Sequence, residues 1–477
     1  MSDDKQIKLG LFWNAVNSFG RLGLNFLATV ILARLLTPSD FGTYGILLIF
    51  ITISELIADS GMGGYIVKKQ NVDSLDYDTL FLYNLIVSCI LYIVLYFSAP
   101  WLAHFYADES LIMGTRICGI VVIIQSVSII STARLLKDFS FKILAIISLL
   151  SGILGLISAL VWGYFIGGYF ALILQSLVSV SVNSLGVIWV TKYIPHLRFN
   201  FSRFKDQFSF GINLMGSTLL QSITNNISNN IIAKTFNMNL AGIYVQSAKL
   251  QSIPTTLIQS IADKTFFPVF AKLSTDVAQF NLQASQMSRM VYAFCFPLIT
   301  LIICFARLII LIILGEQWID CIYTFQILMF ASYPLLVKNV NRNLLKALGF
   351  TRDIFRMEFY PFLFFMICIG VSIGFQSFLM MVVSIVLCSV FSAIMSMFYI
   401  FKRSKQRMEI LIKNILMFSP IILVACVSLF ADTTSFISYL LYTLVICAYI
   451  IVCYHIGVSE YVKIKNYIET LIQKIKF

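Results

Sequence analysis

The chain has 477 residues, of which 59% are hydrophobic and only 12% charged. A soluble domain carries about 25% charged residues, so an ordinary soluble fold is excluded and a polytopic membrane protein is expected. The net charge of +12 comes with no nucleic-acid recognition motif and no basic groove alternating with aromatics. Orientation in the membrane and contact with membrane lipids explain it instead.

The polar start, Met1-Ser2-Asp3-Asp4-Lys5, and the lack of a small-residue cleavage site make the first apolar run a retained span rather than a signal peptide. Apolar stretches predict spans at residues 10–36, 42–65, 79–101, 113–133, 143–165 and 168–190. A basic break follows, with Lys192, Arg198, Arg203 and Lys205. Six more spans are predicted at 209–233, 240–264, 288–314, 319–345, 355–376 and 378–401, and a final pair at 412–430 and 435–456. The expected fold is all-α and polytopic, with about 14 transmembrane helices. Its parts are a six-helix lobe (1–191), a basic cytoplasmic linker (192–208), a second six-helix lobe (209–401), and two extra helices with a basic tail (402–477).

A repeat supports that layout. Ala33-Arg34-Leu35-Leu36-Thr37-Pro38-Ser39-Asp40-Phe41-Gly42-Thr43-Tyr44 returns without a gap as Ala233-Lys234-Thr235-Phe236-Asn237-Met238-Asn239-Leu240-Ala241-Gly242-Ile243-Tyr244. Upstream, Asn25 and Ile31 match Asn225 and Ile231. Each copy ends one apolar helix and begins the next. Two equivalent halves in a membrane protein point to a transporter with its pathway between them.

Charge placement orients the chain. With a cytoplasmic amino terminus, the inward connections and the tail hold every lysine and arginine except Arg21, Arg34, Arg116, Lys234, Lys249, Arg307 and Lys338. So strong a bias predicts an even number of spans with both termini in the cytoplasm. Arg34 and Lys234 then lie at outward ends, where they are expected to serve an outer gate.

Nothing in the chain argues for an enzyme. His104, His196 and His455 are far apart, and no GxxxxGK[ST], HExxH or GxSxG motif occurs. The cysteines lie mostly inside apolar spans without a CxxC, as small buried hydrophobes do. No cofactor and no metal are expected.

Ionisable groups inside spans remain, and they are functional candidates by default. Arg21 lies about twelve residues into the first span, close to the midplane. Glu55 and Asp59 share a face of the second span and are candidates for an ion pair with Arg21 or for coupling. Lys249 precedes Pro254 in the eighth span, and Lys338 lies in the tenth with no carboxylate one turn away. Arg21, Lys249 and Lys338 facing one cavity would suit an anionic substrate. The seventh span carries Asn225, Asn226, Asn229 and Asn230, which either lock helices together or line a wet path.

Leu32-Ala33-Arg34-Leu35-Leu36-Thr37-Pro38-Ser39-Asp40-Phe41-Gly42 resembles the first-hairpin signature of the Wzx-type polysaccharide flippases, in the branch of colanic-acid and teichuronic-acid exporters. Asp59-Ser60-Gly61-Met62-Gly63, His104-Phe105-Tyr106, Leu136-Lys137-Asp138-Phe139-Ser140-Phe141, Phe208-Ser209-Phe210-Gly211 and Leu314-Gly315-Glu316-Gln317-Trp318 continue the likeness over most of residues 8–401. It departs at Tyr244-Val245-Gln246-Ser247, where a cation of the family pattern is missing, and resumes at Lys249 and Pro254. The resemblance implies the multidrug/oligosaccharidyl-lipid/polysaccharide exporter fold in the bacterial cytoplasmic membrane. It also implies, as cargo, an oligosaccharide on undecaprenyl pyrophosphate moved from the inner to the outer leaflet, with polysaccharide polymerase machinery as a further partner. Arg21, Lys249 and Lys338 would then cradle the pyrophosphate. A drug exporter of the same superfamily would favour carboxylates over buried cations, and an oligosaccharide polymerase or ligase would carry a long outward loop that this chain lacks.

Overall fold

The computed structural model describes residues 3–60, 62–69, 72–193, 195–273, 277–404, 418–430 and 436–455. Helices joined by short turns account for them, and no strand occurs among the described residues. A helix satisfies its own backbone groups, which hydrocarbon cannot do.

The chain forms two compact units, Met1–Val245 and Gln246–Phe477. The first contains α1 (Asp3–Leu35), α2 (Pro38–Asp59), the short α3 (Met62–Lys68), α4 (Ser74–Tyr106), α5 (Ser110–Lys137), α6 (Phe141–Phe165), α7 (Phe170–Thr191) and α8 (Phe201–Thr235). The division falls inside α9 (Met238–Leu273), which runs unbroken through Pro254. The second unit continues with α10 (Val277–Cys304), α11 (Ala306–Ile313), α12 (Cys321–Phe330), α13 (Ser332–Ala347), α14 (Thr351–Gly374), α15 (Phe378–Ser404), α16 (Ser419–Phe430) and α17 (Phe436–His455).

Among the described residues, 10 spans are long and apolar enough to cross a membrane. They are α1, α2, α4 to α7, α10, α12 with α13, α14 and α15. The remaining four of the expected set differ for identifiable reasons. At 35 and 36 residues, α8 and α9 are long enough, but their amides, hydroxyls and lysines lower the hydropathy. The apolar parts of α16 and α17, Ser419–Leu429 and Ser438–Ile451, are short within the described residues. The expected tenth span is broken between Phe330 and Ser332, because Pro334 has no N–H to return to Phe330 and its ring crowds that carbonyl. Trp189, Phe165 and Phe97 are 79%, 77% and 75% exposed, a surface suited to lipid and not to water.

The repeated hairpins fold by the same local device. Thr37 caps α2: its backbone N–H donates to Asp40 Oδ2 at 2.9 Å, and its hydroxyl accepts from Asp40 N at 3.4 Å. Pro38 opens the helix, where its missing N–H is harmless. At the equivalent position in the second copy, Asn237 Oδ1 accepts from Leu240 N at 2.8 Å at the start of α9. A short polar side chain sits at position 37 and again at 237 because each stops one helix and starts another.

At the end read from charge as inward, a polar knot fixes α8 to α4. Asp76 is fully buried, accepts from Lys69 Nζ at 2.6 Å and from Arg203 Nη1 at 2.8 Å, and its backbone carbonyl accepts from Gln207 at 3.2 Å. Arg203 also forks onto Asp73 at 2.8 and 2.9 Å. Beside it Tyr193 donates to Asp78, and the Arg134 guanidinium lies 5.4 and 5.2 Å from the Tyr77 and Tyr193 rings. Burial and the Asp78 carboxylate push the Tyr193 phenol above its ordinary pKa. Asp76→Ala would leave two cations facing each other without their shared anion. The expected result is a lower thermal-unfolding midpoint of the purified protein in detergent, with Ser74→Ala on the exposed rim as the unaffected control.

Candidate functional site

Inside the first unit, α1, α2, α3, α5, α6 and α7 line a partly open cavity of about 500 Å³. Arg21, Leu24 and Asn25 enter from α1, Asp59 from α2, and Gln125, Ser128 and Thr132 from one face of α5. The wall is completed by Ser148, Ser151 and Gly152 of α6 and by Ser179, Asn183 and Ser184 of α7. A membrane bundle normally turns such groups on one another. Here they open into one space.

Arg21 is exposed to that space and, among the described residues, is in no ion pair. Asp59 lines the same cavity, and Glu55, one turn away on α2, lies within reach of the Gln125 amide. The structure therefore brings Arg21, Asn25 and Asp59 together around one cavity without joining Arg21 to a carboxylate.

In the second unit the two expected cations have different surroundings. Lys338 of α13 donates to Glu358 Oε2 of α14 at 2.7 Å, with side-chain exposures of 13% and 26%. The pair bridges two helices, so a search along the lysine's own span does not find it. Lys249 is half-buried on α9, and no ion-pair partner for it occurs among the described residues. Nearby Gln246 is fully buried, and neither side-chain polar atom has a hydrogen-bond partner.

The described asparagines of α8 have three different surroundings. Asn226 donates to Ser222 O at 2.9 Å, and Asn230 accepts from the Tyr106 hydroxyl of α4 at 3.1 Å. Asn229 is buried with both side-chain polar atoms unbonded and lies against Gly45 of α2. The side chain of Asn225 is outside the described residues. Lys234 donates to the Phe105 carbonyl and sits 4.4 Å from the centre of that ring, while Arg34 is exposed at the matching end of α1.

Between those ends lies a contact that sequence reasoning missed, although both residues stood in the repeat. A Cβ on Gly42 would overlap the Met238 carbonyl oxygen and lie 3.0 Å from Gly242 N. One on Gly242 would overlap the Pro38 carbonyl oxygen. The two repeat-equivalent glycines let α2 and the head of α9 meet backbone to backbone. The cavity's polar stripe, Gln125, Ser128 and Thr132 on α5 with Ser179 and Asn183 on α7, was also missed. Its signal was helical spacing of uncharged polar residues in otherwise apolar spans.

The model of a family described as polysaccharide biosynthesis protein matches residues 31–323. The chain belongs to that family. It is similar to the teichuronic acid biosynthesis protein TuaB of Bacillus subtilis, 22% identical over 347 residues, which are 72% of each chain. The succinoglycan biosynthesis transport protein ExoT of Rhizobium meliloti is 24% identical over 317 residues, 66% of this chain and 64% of that one. The lipopolysaccharide biosynthesis protein WzxC of Escherichia coli is 20% identical over 340 residues, 71% and 69% of the two chains. The fold is like that of the lipid II flippase MurJ in an inward closed conformation (TM-score 0.69, 12% identity, 91% of this chain and 98% of that one). It is also like that of an inward-facing multidrug-resistance MATE transporter (TM-score 0.64, 15% identity, 85% and 99%). The chain is thus a multi-pass membrane protein with a transporter fold.

Two outcomes follow from these contacts. Gly42→Ala cannot keep the backbone approach and is expected to abolish polymer export in a complemented flippase-null strain. Gly23→Ala, where a Cβ meets nothing within 4 Å, is expected to leave export intact. For the second-unit pair, Lys338→Met alone should lower the thermal midpoint more than Lys338→Met with Glu358→Met, because the single change strands a half-buried carboxylate.

Proposed function

We propose that this chain is a flippase of the bacterial cytoplasmic membrane. It carries an oligosaccharide linked to undecaprenyl pyrophosphate from the inner to the outer leaflet by alternating access, without making or breaking a covalent bond. The observation that carries this reading is Arg21, a cation inside the first-unit bundle that opens into a polar cavity instead of pairing with a carboxylate. A pyrophosphate loses its water on entering the bilayer, and a guanidinium offsets that loss with forked, charge-assisted hydrogen bonds. The names of the relatives, which include exopolysaccharide transport and lipopolysaccharide biosynthesis, support a glycan cargo.

Lys249 is the second candidate for contact with the phosphates, and Lys338 is assigned to holding α13 on α14 through Glu358. Glu55 and Asp59 are assigned to tuning the field at Arg21, and the Gly42–Gly242 contact, flanked by Arg34 and Lys234, to the outer gate. The lysine and arginine distribution supports cytoplasmic termini, and polymerase machinery would act on the delivered glycan.

Arg21→Ala should reduce export in a flippase-null strain about tenfold at equal membrane expression, the loss expected for one charged hydrogen-bonding group. Arg21→Lys should recover part of it, and Lys249→Ala should show a smaller loss. Undiminished export by Arg21→Ala would rule out the phosphate-anchor role.

A further inference from the structure

The first-unit cavity holds more polar groups than a pyrophosphate can use, and many of them are of the wrong kind for it. A phosphate oxygen accepts hydrogen bonds and offers none, so its site needs donors. Three serines on the wall have already given their hydrogens to backbone carbonyls. Ser128 donates to Gln125 O at 2.8 Å, Ser151 to Ser148 O at 2.8 Å, and Ser184 to Ile124 O at 3.1 Å. What a hydroxyl committed in this way can still offer is its oxygen lone pairs.

Beside them, Asn25, Asn183, Ser148, Ser179 and Thr132 line the same cavity, and no side-chain partner for them occurs among the described residues. An uncommitted amide or hydroxyl inside a membrane bundle is costly unless water or a ligand completes it. Amides offer donors and acceptors together. The wall as a whole therefore suits a neutral ligand that both donates and accepts, at several points, on a small scale. An inorganic cation would need oxygens gathered around a charge, and, among the described residues, no group of three or more His, Cys, Asp or Glu could hold a metal ion. A multiply hydroxylated ring meets the wall's requirement, and a cavity of about 500 Å³ lies within the range of small-molecule sites.

The geometry points to a sugar subsite: the polar wall on α5, α6 and α7, beside Arg21, receives the glycan end of the cargo through its hydroxyl groups. This rests on the cargo assigned under the proposed function, and divides the labour within one cavity. Arg21 takes the phosphate that every lipid-linked glycan shares, and Asn25, Asn183 and the serines take the part that varies.

The test uses the full-length protein in lipid nanodiscs with two probes, the lipid-linked oligosaccharide extracted from the strain of origin and sugar-free undecaprenyl pyrophosphate. Native mass spectrometry titration reads both affinities. Asn183→Leu should weaken the glycan-bearing lipid about tenfold and leave sugar-free lipid within about twofold. Arg21→Ala should weaken both. Asn25→Leu provides the same comparison from α1, should Asn183→Leu unfold as judged by its thermal midpoint. Equal loss for the two probes, or no loss for either, overturns the sugar subsite and makes the wall a water-filled lining. Failure of the wild-type chain to bind either probe defeats the proposed cargo itself, a different result from loss of discrimination.

Discussion

Where α2 and the head of α9 cross, a carbonyl from each helix lies against a glycine of the other, with no room for a methyl group. Side chains normally hold helices 8–10 Å apart; two glycines remove that spacer, and what remains is backbone on backbone. Much around it follows from this approach. It sets α8 beside α2, so that Asn229 lies on Gly45, Asn230 reaches the hydroxyl of Tyr106, and Lys234 reaches the end of α4. It also explains why the first compact unit extends as far as Val245, past the six helices that the repeat assigns to the first half. Duplication describes where the halves came from, and packing describes what they touch.

The sequence carried the helical class, the order of spans and the repeat, because each depends on local composition or on identity at a fixed offset. Arg21 was legible as a candidate because a lone cation stands out in an apolar run. The environment of Lys338 was not legible: Glu358 belongs to the next span, and adjacency between spans is decided by packing. Nor was the role of Gly42 and Gly242, although both letters were in view, since a glycine shows nothing of how closely its neighbour comes. The polar stripes of α5 and α7 were diluted among apolar residues, and only closure of the bundle gathers them around a common space.

Uncharged polar residues meet two ends in this fold. On α8, Asn226 turns back onto the Ser222 carbonyl of its own helix, and Asn230 serves the interface with α4 through Tyr106. On α6 and α7, Ser148, Ser179 and Asn183 line a cavity wide enough for a ligand. Residue type does not separate the cases. The spacing of the opposing helix does, with glycine permitting contact on α2 and the six-helix arrangement leaving a gap inside the first unit.

The knot around Asp76 bears on how the protein reaches the membrane. Lys69 and Arg203 both belong to the charge bias from which the orientation is expected, yet in the folded protein they are paired with Asp73 and Asp76. Arg203 emerges from the ribosome long after Asp76. Until Arg203 is made, therefore, the loop before α4 and the linker before α8 cannot be joined. In the finished fold these two cations are held by carboxylates, whereas the growing chain presents them one after the other.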